Sequence, residues 1–164
     1  MNNNPKQYFT ACAAIFNDSS KILLTRRNHP SNLQIHNHWQ LPGGGIDFGE
    51  HPKTSVLREI FEETNLKIKL LTDQPHIYSH VFQGTQVHVV LFVYLAKYVS
   101  GTIDFSQDSE ETNGADWFTL EEVKSLKSLP ETATIAEEFF SLFHKLNTSL
   151  PTKTVTEDYI IQKG

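Results

Sequence analysis

The sequence predicts an α/β fold, a mixed β-sheet with flanking helices. Three observations carry the prediction. β-Prone apolar runs lie on both sides of a glycine triplet, Gly43-Gly44-Gly45. Helical patterning marks Pro52 to Thr64 and returns near residues 131–146. Further β-prone runs fill the space between, in a chain of 164 residues, a length that suits one domain with a real core.

Residues 7–16 are apolar and β-prone, Asn17-Asp18-Ser19-Ser20 is a turn cluster, and residues 21–27 resume with Ile22, Leu23 and Leu24. That order reads as a hairpin. Residues 28–38 are polar, contain His29-Pro30, and read as a loop. Residues 39–42 read as a short strand that runs into the glycine triplet, itself read as a turn. Pro52 suits the first turn of a helix, where its missing N–H is not needed. Pro52, Val56 and Ile60 fall along one side of that helix, and Leu57, Phe61 and Thr64 extend it. Strands are predicted at residues 66–72, 76–82 and 86–98, the last carrying Val87, Val89, Val90, Phe92, Val93 and Tyr94. Residues 101–114 are polar and acidic and predict a long loop, with a short strand at 115–118. Thr119-Leu120-Glu121-Glu122 has the spacing of a capping box and opens a short helix. In the last helix Ile135, Phe139, Leu142, Phe143 and Leu146 recur at three- and four-residue intervals. The chain thus divides into a tail at 1–6, a domain at 7–146 and a Thr- and Lys-containing tail at 147–164. That last tail carries either a short strand near Tyr159-Ile160-Ile161 or no fixed structure.

Hydrophobic residues make up 38% and charged residues 20%, with eleven Phe, a composition that excludes a disordered chain. A net charge of -5 gives no general attraction to long nucleic acid or to anionic membrane. A phosphate ligand must therefore be held by a local device such as a metal. Cys12, alone in an apolar run, forms no internal disulfide and reads as a small core residue, which fits a reducing compartment. No run approaches the roughly 18 apolar residues of a membrane span, and the start of the chain lacks signal-peptide features. The expectation is a cytoplasmic protein, monomer or homodimer.

The chemistry concentrates between Gly44 and Leu66. Glu59, Glu62 and Glu63 are spaced i, i+3 and i+4, so they share one helix face. Like charges there repel by a few tenths of a kcal/mol per exposed pair, roughly. Solvation or a bound cation relieves this, and clustered carboxylates suit Mg²⁺ or Mn²⁺ rather than zinc. The upstream glycines let the backbone approach a ligand, with carbonyls for a metal and amides for phosphate oxygens. A glycine turn and three acidic side chains are expected to converge on a metal-bound diphosphate.

Residues 44–66 resemble the Nudix box, G-x5-E-x7-R-E-U-x-E-E-x-G-U with U a bulky apolar residue, at every defined position but one. Trp39-Gln40-Leu41-Pro42-Gly43 and the segment from Ala115 to Glu122 also resemble Nudix flanks. The resemblance implies an α/β/α sandwich and a hydrolase that cuts the diphosphate linkage of a nucleoside diphosphate derivative with Mg²⁺ (or Mn²⁺). It implies metal ligation by Glu59, Glu62 and Glu63 with a Gly43 or Gly44 carbonyl. Arg58 would hold a catalytic carboxylate, with Glu50 as partner. Substrate would lie against Gly43, Gly44 and Gly45. A later loop acid often joins such a site, and Asp108, Glu110 and Glu111 are open candidates. The departure is Asn65, where the family has Gly; Asn is the non-glycine residue that most readily takes a left-handed conformation.

Other residues carry weaker signals. Trp39 either stacks on a base or packs against the sheet. His36 and His38 are a weak metal signal. His76, His80 and His88 read as surface or core groups, and Tyr78 and Phe82 as core ahead of base contacts. Nucleoside triphosphates are the first substrate class. ADP-ribose or another NDP-sugar, and dinucleoside polyphosphates or capped RNA ends, are the others. A non-catalytic nucleotide sensor is the reading from another class, but such domains usually lose box carboxylates, which this chain keeps. Specificity is expected from the loops at 28–38, 74–85 and 101–114.

Overall fold

The computed structural model describes residues 4–104 and 111–149. Its organising element is β1 (Lys6–Phe16), whose alternation divides the core in two. Ala11, Ala13 and Ile15 belong to one apolar cluster, and Cys12, Ala14 and Phe16 to the other. After the turn, β2 (Ile22–Arg27) returns alongside, pairing Phe16 with Ile22, so the hairpin forms as read. Then come β3 (Trp39–Gln40), β4 (Gly43–Gly45), α1 (Pro52–Thr64), β5 (Lys67–Leu70), β6 (His76–Phe82), β7 (Val87–Ser100), β8 (Thr112–Phe118), α2 (Leu120–Ser125) and α3 (Thr132–Ser149).

The strands join in one mixed sheet. Its central pair is parallel: β1 runs beside β7 from Lys6↔Val87 to Phe16↔Lys97. The strand pairs around it are antiparallel, with β4 on β1, β5 and β6 on successive lengths of β7, and β3 and β8 on β2. One face packs Val56 and Ile60 of α1 against Ala13, Leu23 and Tyr94. Burial of each of those two side chains stabilises by about 1.5–3 kcal/mol. The other face packs Ile135, Phe139, Phe140 and Phe143 of α3, with Val123 of α2, against Phe16, Leu24 and Leu95. Phe143 stacks on Phe16 with ring centroids 4.4 Å apart, and Phe140 meets the same ring edge-on. Two helical layers thus enclose the sheet.

Helix α1 occupies the residues its pattern predicts. His51 caps its start by accepting from the Lys53 amide, and Pro52 follows at the first turn. Asn65 ends it at φ 58°, ψ 20°, and its N–H donates to the Phe61 carbonyl at 2.8 Å. The missing family glycine is therefore replaced by a residue that takes the same left-handed turn. Its buried stripe is narrower than expected: Ser55, Val56, Ile60 and Thr64 are buried, while Phe61, one position round the helix, is half exposed.

Three expectations need correction. The glycine triplet is not a turn but strand β4, bonded to Thr10, Ala11 and Cys12. Strand β8 starts at Thr112, inside the predicted loop, because pairing with Arg26 and Arg27 outweighs the turn-like composition of Asn113-Gly114. Helix α3 passes Leu146 and runs to Ser149. The strand suggested near Tyr159-Ile160-Ile161 lies outside the described residues. Among the described residues no helix is long and apolar enough to cross a membrane.

Candidate active site

Arg58 is the hub of the acidic face of α1. Its Nε and Nη2 donate to the two oxygens of Glu50 at 3.0 and 2.8 Å. Its Nη1 donates to Glu59 at 2.7 Å and to Glu62 at 3.1 Å. The planar guanidinium suits this, since it carries five donors in a fixed fork. Arg58 holds the Glu50 carboxyl down at about 2, below the usual range.

Glu59 rests against the glycine strand. A Cβ added to Gly44 would lie 2.1 Å from Glu59 Oε2, so the carboxylate occupies space that only glycine leaves. Partial burial raises its pKa, against the pull of Arg58. Gly43 is needed for a different reason. Its φ is +142° and an added Cβ would meet the Ala11 carbonyl oxygen at 2.2 Å.

Glu63 lies deeper. Thr112 Oγ1 donates to its Oε1 at 2.6 Å and the Gly43 amide donates to its Oε2 at 2.9 Å. Burial raises its pKa, and those two donors oppose the rise. The buried Cys12 thiol is pushed up to about 12, by burial first and then by the charges of Glu63 and Glu59. Cys12 is the inert core residue its sequence suggests.

A cavity of about 510 Å³ opens on the α3 face of the sheet, with Gly43, Gly44 and Gly45 along one wall. Its volume is in the range of small-molecule sites. The three segments expected to set specificity all reach it: His29 and Gln34 from the first, Thr85 from the second together with His80 and Phe82 of β6, and Glu111 from the third. Arg27 also lines it. Among the described residues its buried Nε has no hydrogen-bond partner.

The predicted site residues therefore separate into groups. The box residues and glycines come together around β4. The three glutamates do not form one cluster. Among the described residues no three His, Cys, Asp or Glu groups stand at metal-ligand spacing. The reason is electrostatic: the carboxylates repel, and each takes its nearest donor, Arg58 for Glu59 and Glu62, Thr112 and Gly43 for Glu63. Their oxygens still constitute a hard-ligand set beside a backbone that approaches closely, which fits a divalent cation.

Trp39 does not line the cavity; it packs edge-on against Phe118 at 4.8 Å, under the Arg26 guanidinium at 5.7 Å. Its reading as a substrate contact gives way to packing. Glu111 is the later acid that reaches the cavity, while Asp108 and Glu110 lie outside the described residues. His36 Nδ1 accepts from the His29 amide and His38 Nδ1 lies 3.0 Å from the His36 carbonyl, so both serve the loop itself. His76 and Tyr78 bond Glu138 of α3.

The sequence profile of the NUDIX domain matches residues 6–143. The chain belongs to the Nudix family. Among its Nudix relatives, an RNA pyrophosphohydrolase of Azorhizobium caulinodans is 42% identical over 55 residues, 33% of this chain and 33% of that protein. The NAD-capped RNA hydrolase NudC of Haemophilus influenzae (strain PittEE) is 34% identical over 130 residues, 73% of this chain and 45% of that protein. The chain thus spans a third to under half the length of these curated relatives. A crystal structure of a MutT NUDIX hydrolase from Burkholderia pseudomallei superposes with a TM-score of 0.67 at 28% identity, over 80% of this chain and 97% of that one. Nudix hydrolases use divalent metal ions, which agrees with the oxygen-rich donor set described above.

Proposed function

We propose that this protein is a Mg²⁺-dependent (or Mn²⁺-dependent) pyrophosphohydrolase that cuts the P–O–P linkage of a nucleoside diphosphate derivative, with nucleoside triphosphates as the first substrate class. The observation that carries the reading is the position of β4. Glu59 packs on it from the α1 side, and the cavity opens beside the same glycines. A nucleoside in the cavity would bring its phosphates to the box carboxylates.

Glu59, Glu62 and Glu63 are assigned as metal ligands, with the Gly43 carbonyl beside them. The ion would neutralise phosphate charge and acidify water. Arg58 orients Glu59 and Glu62 while its other edge is fixed by Glu50. Arg27 offers the cavity a fixed positive charge for phosphate or base oxygens. Glu111 is the assigned additional acid, positioned to accept a proton at the cavity. Cys12, reduced and buried, suits the cytoplasm.

The test is a nucleotide panel with product mass analysis, in Mg²⁺, in Mn²⁺ and in chelator. Release of a nucleoside monophosphate with metal and none with chelator is expected. The variant with both Glu62→Gln and Glu63→Gln should lose at least about 100-fold in kcat. Turnover within a few-fold of the parent overturns the ligand assignment.

A further inference from the structure

We propose that Thr112 is a positioning residue whose hydroxyl fixes the Glu63 carboxylate for cation binding. The inference rests on the reading of Glu63 as a metal ligand and adds a residue from outside the box.

The register of β8 supplies the argument. Along β2 and β8 the pairs run Leu23↔Trp117, Leu24↔Asp116, Thr25↔Ala115 and Arg26↔Gly114, then jump to Arg27↔Thr112. Asn113 is the extra residue of a β-bulge. In a regular strand Asn113 would share the side of Ala115 and Trp117, which pack in the α1 cluster. The bulge shifts the alternation by one and turns Thr112 toward α1 instead. Such bulges re-aim a side chain where a site needs it. Asn113 faces outward, with Oδ1 accepting from Arg26 Nε at 2.8 Å and Nδ2 donating to Asn37 Oδ1 at 2.9 Å.

Thr112 is 4% exposed and reaches across to Glu63 Oε1 at 2.6 Å. Its neighbour Glu111 is fixed too, its carbonyl accepting from the Asn28 amide at 2.6 Å. Among the described residues Thr112 donates to Oε1 of Glu63 and Gly43 to Oε2, and the buried Thr25 hydroxyl lies near the same carboxylate. A carboxylate has about four lone-pair sites, so each oxygen keeps acceptor capacity for a cation. Two donors on opposite oxygens leave the group little freedom to rotate. A hydroxyl at this place therefore fixes which lone pairs remain available.

Thr112→Val keeps the branched shape and removes the donor, while Thr112→Ser keeps the donor and removes the methyl. Binding of Mn²⁺ without nucleotide, followed by electron paramagnetic resonance of the free ion, reads the site apart from turnover. Thr112→Val should weaken Mn²⁺ binding at least about fivefold and lower kcat about tenfold, with KM for nucleotide within about twofold. Thr112→Ser should stay within about twofold of the parent in both. If the valine variant fails to fold by circular dichroism, Thr112→Ala carries the same expectation. Parent-like Mn²⁺ binding by a folded donor-less variant, or a serine variant as impaired as the valine one, overturns the inference. Glu63→Gln separates the two claims. If it weakens Mn²⁺ binding while Thr112→Val does not, the positioning role alone is wrong. If Glu63→Gln binds Mn²⁺ like the parent, the ligand reading falls and this inference with it.

Discussion

Arg58 grips Glu50 through two parallel hydrogen bonds, Nε to Oε1 at 3.0 Å and Nη2 to Oε2 at 2.8 Å. The pair ties the loop before α1 to the middle of the helix. Glu50 is held down at about 2 when folded, against about 4.3 for a free glutamate. The folded pKa is the lower one. The pair's contribution is therefore present above about pH 4.3 and is lost as pH falls toward about 2. Urea midpoints of the parent and Glu50→Gln should differ by a constant amount from about pH 7 down to about pH 4.5. The gap should close between there and about pH 2. An unchanged gap at the acid end would count against the pairing.

Gly43 and Gly44 are adjacent but should fail differently when replaced by Ala. At Gly43 the clash is with the backbone of Ala11 and φ is +142°, so nothing nearby can yield cheaply. Gly43→Ala should cost at least about 1–3 kcal/mol of stability, seen as a lower urea midpoint. At Gly44 the clash is with the end of the Glu59 side chain, which can move. Gly44→Ala should keep its stability within about 1 kcal/mol and lose about 100-fold in kcat, since a shift of about 1 Å in a catalytic group costs that much.

Arg27 stands in the cavity, and its buried Nε has no partner among the described residues. Arg27→Met should raise KM for the nucleotide about tenfold or more, the loss of one hydrogen bond to a charged group. Steady-state kinetics on the best substrate of the panel checks it. A KM within about twofold of the parent would remove Arg27 from the substrate contacts.

Asn65 closes α1 with φ 58°. Asn65→Gly should stay within about 0.5 kcal/mol of the parent, and Asn65→Ala should be about 1 kcal/mol less stable, because alanine pays for the left-handed conformation. Thermal unfolding of the three proteins reads the order.

Much of this was legible in the sequence where the signal is local. The period of Val56 and Ile60, the proline at position 52 and the asparagine at 65 are enough to bound α1, and Thr119 with Glu122 forms the capping box its spacing announces. The glycine triplet misleads because glycines have no side chains to alternate, so a strand and a turn spell the same. Its strand character comes from β1, more than thirty positions upstream. Thr112 and Arg27 were missed for the same reason. The bond from Thr112 to Glu63 joins residues 49 positions apart, and no period or spacing records it. Trp39 sits beside the box in sequence, yet Phe118 claims its ring.

The long parallel union of β1 with β7 sets a timetable for the nascent chain. A ribosome delivers the amino end first, so β1 and the box helix emerge before the strand that must lie beside them has been translated. Until then the edge of β1 that β7 joins lacks its partner, and the side that α3 covers stays wet longer still, so a helper that shields hydrophobic segments has something to hold. Contacts this distant along the chain also slow folding, since a large loop must close before the reward arrives. Pulling force measured on stalled chains of increasing length should rise only after residue 97 has cleared the exit tunnel, the position that pairs with Phe16.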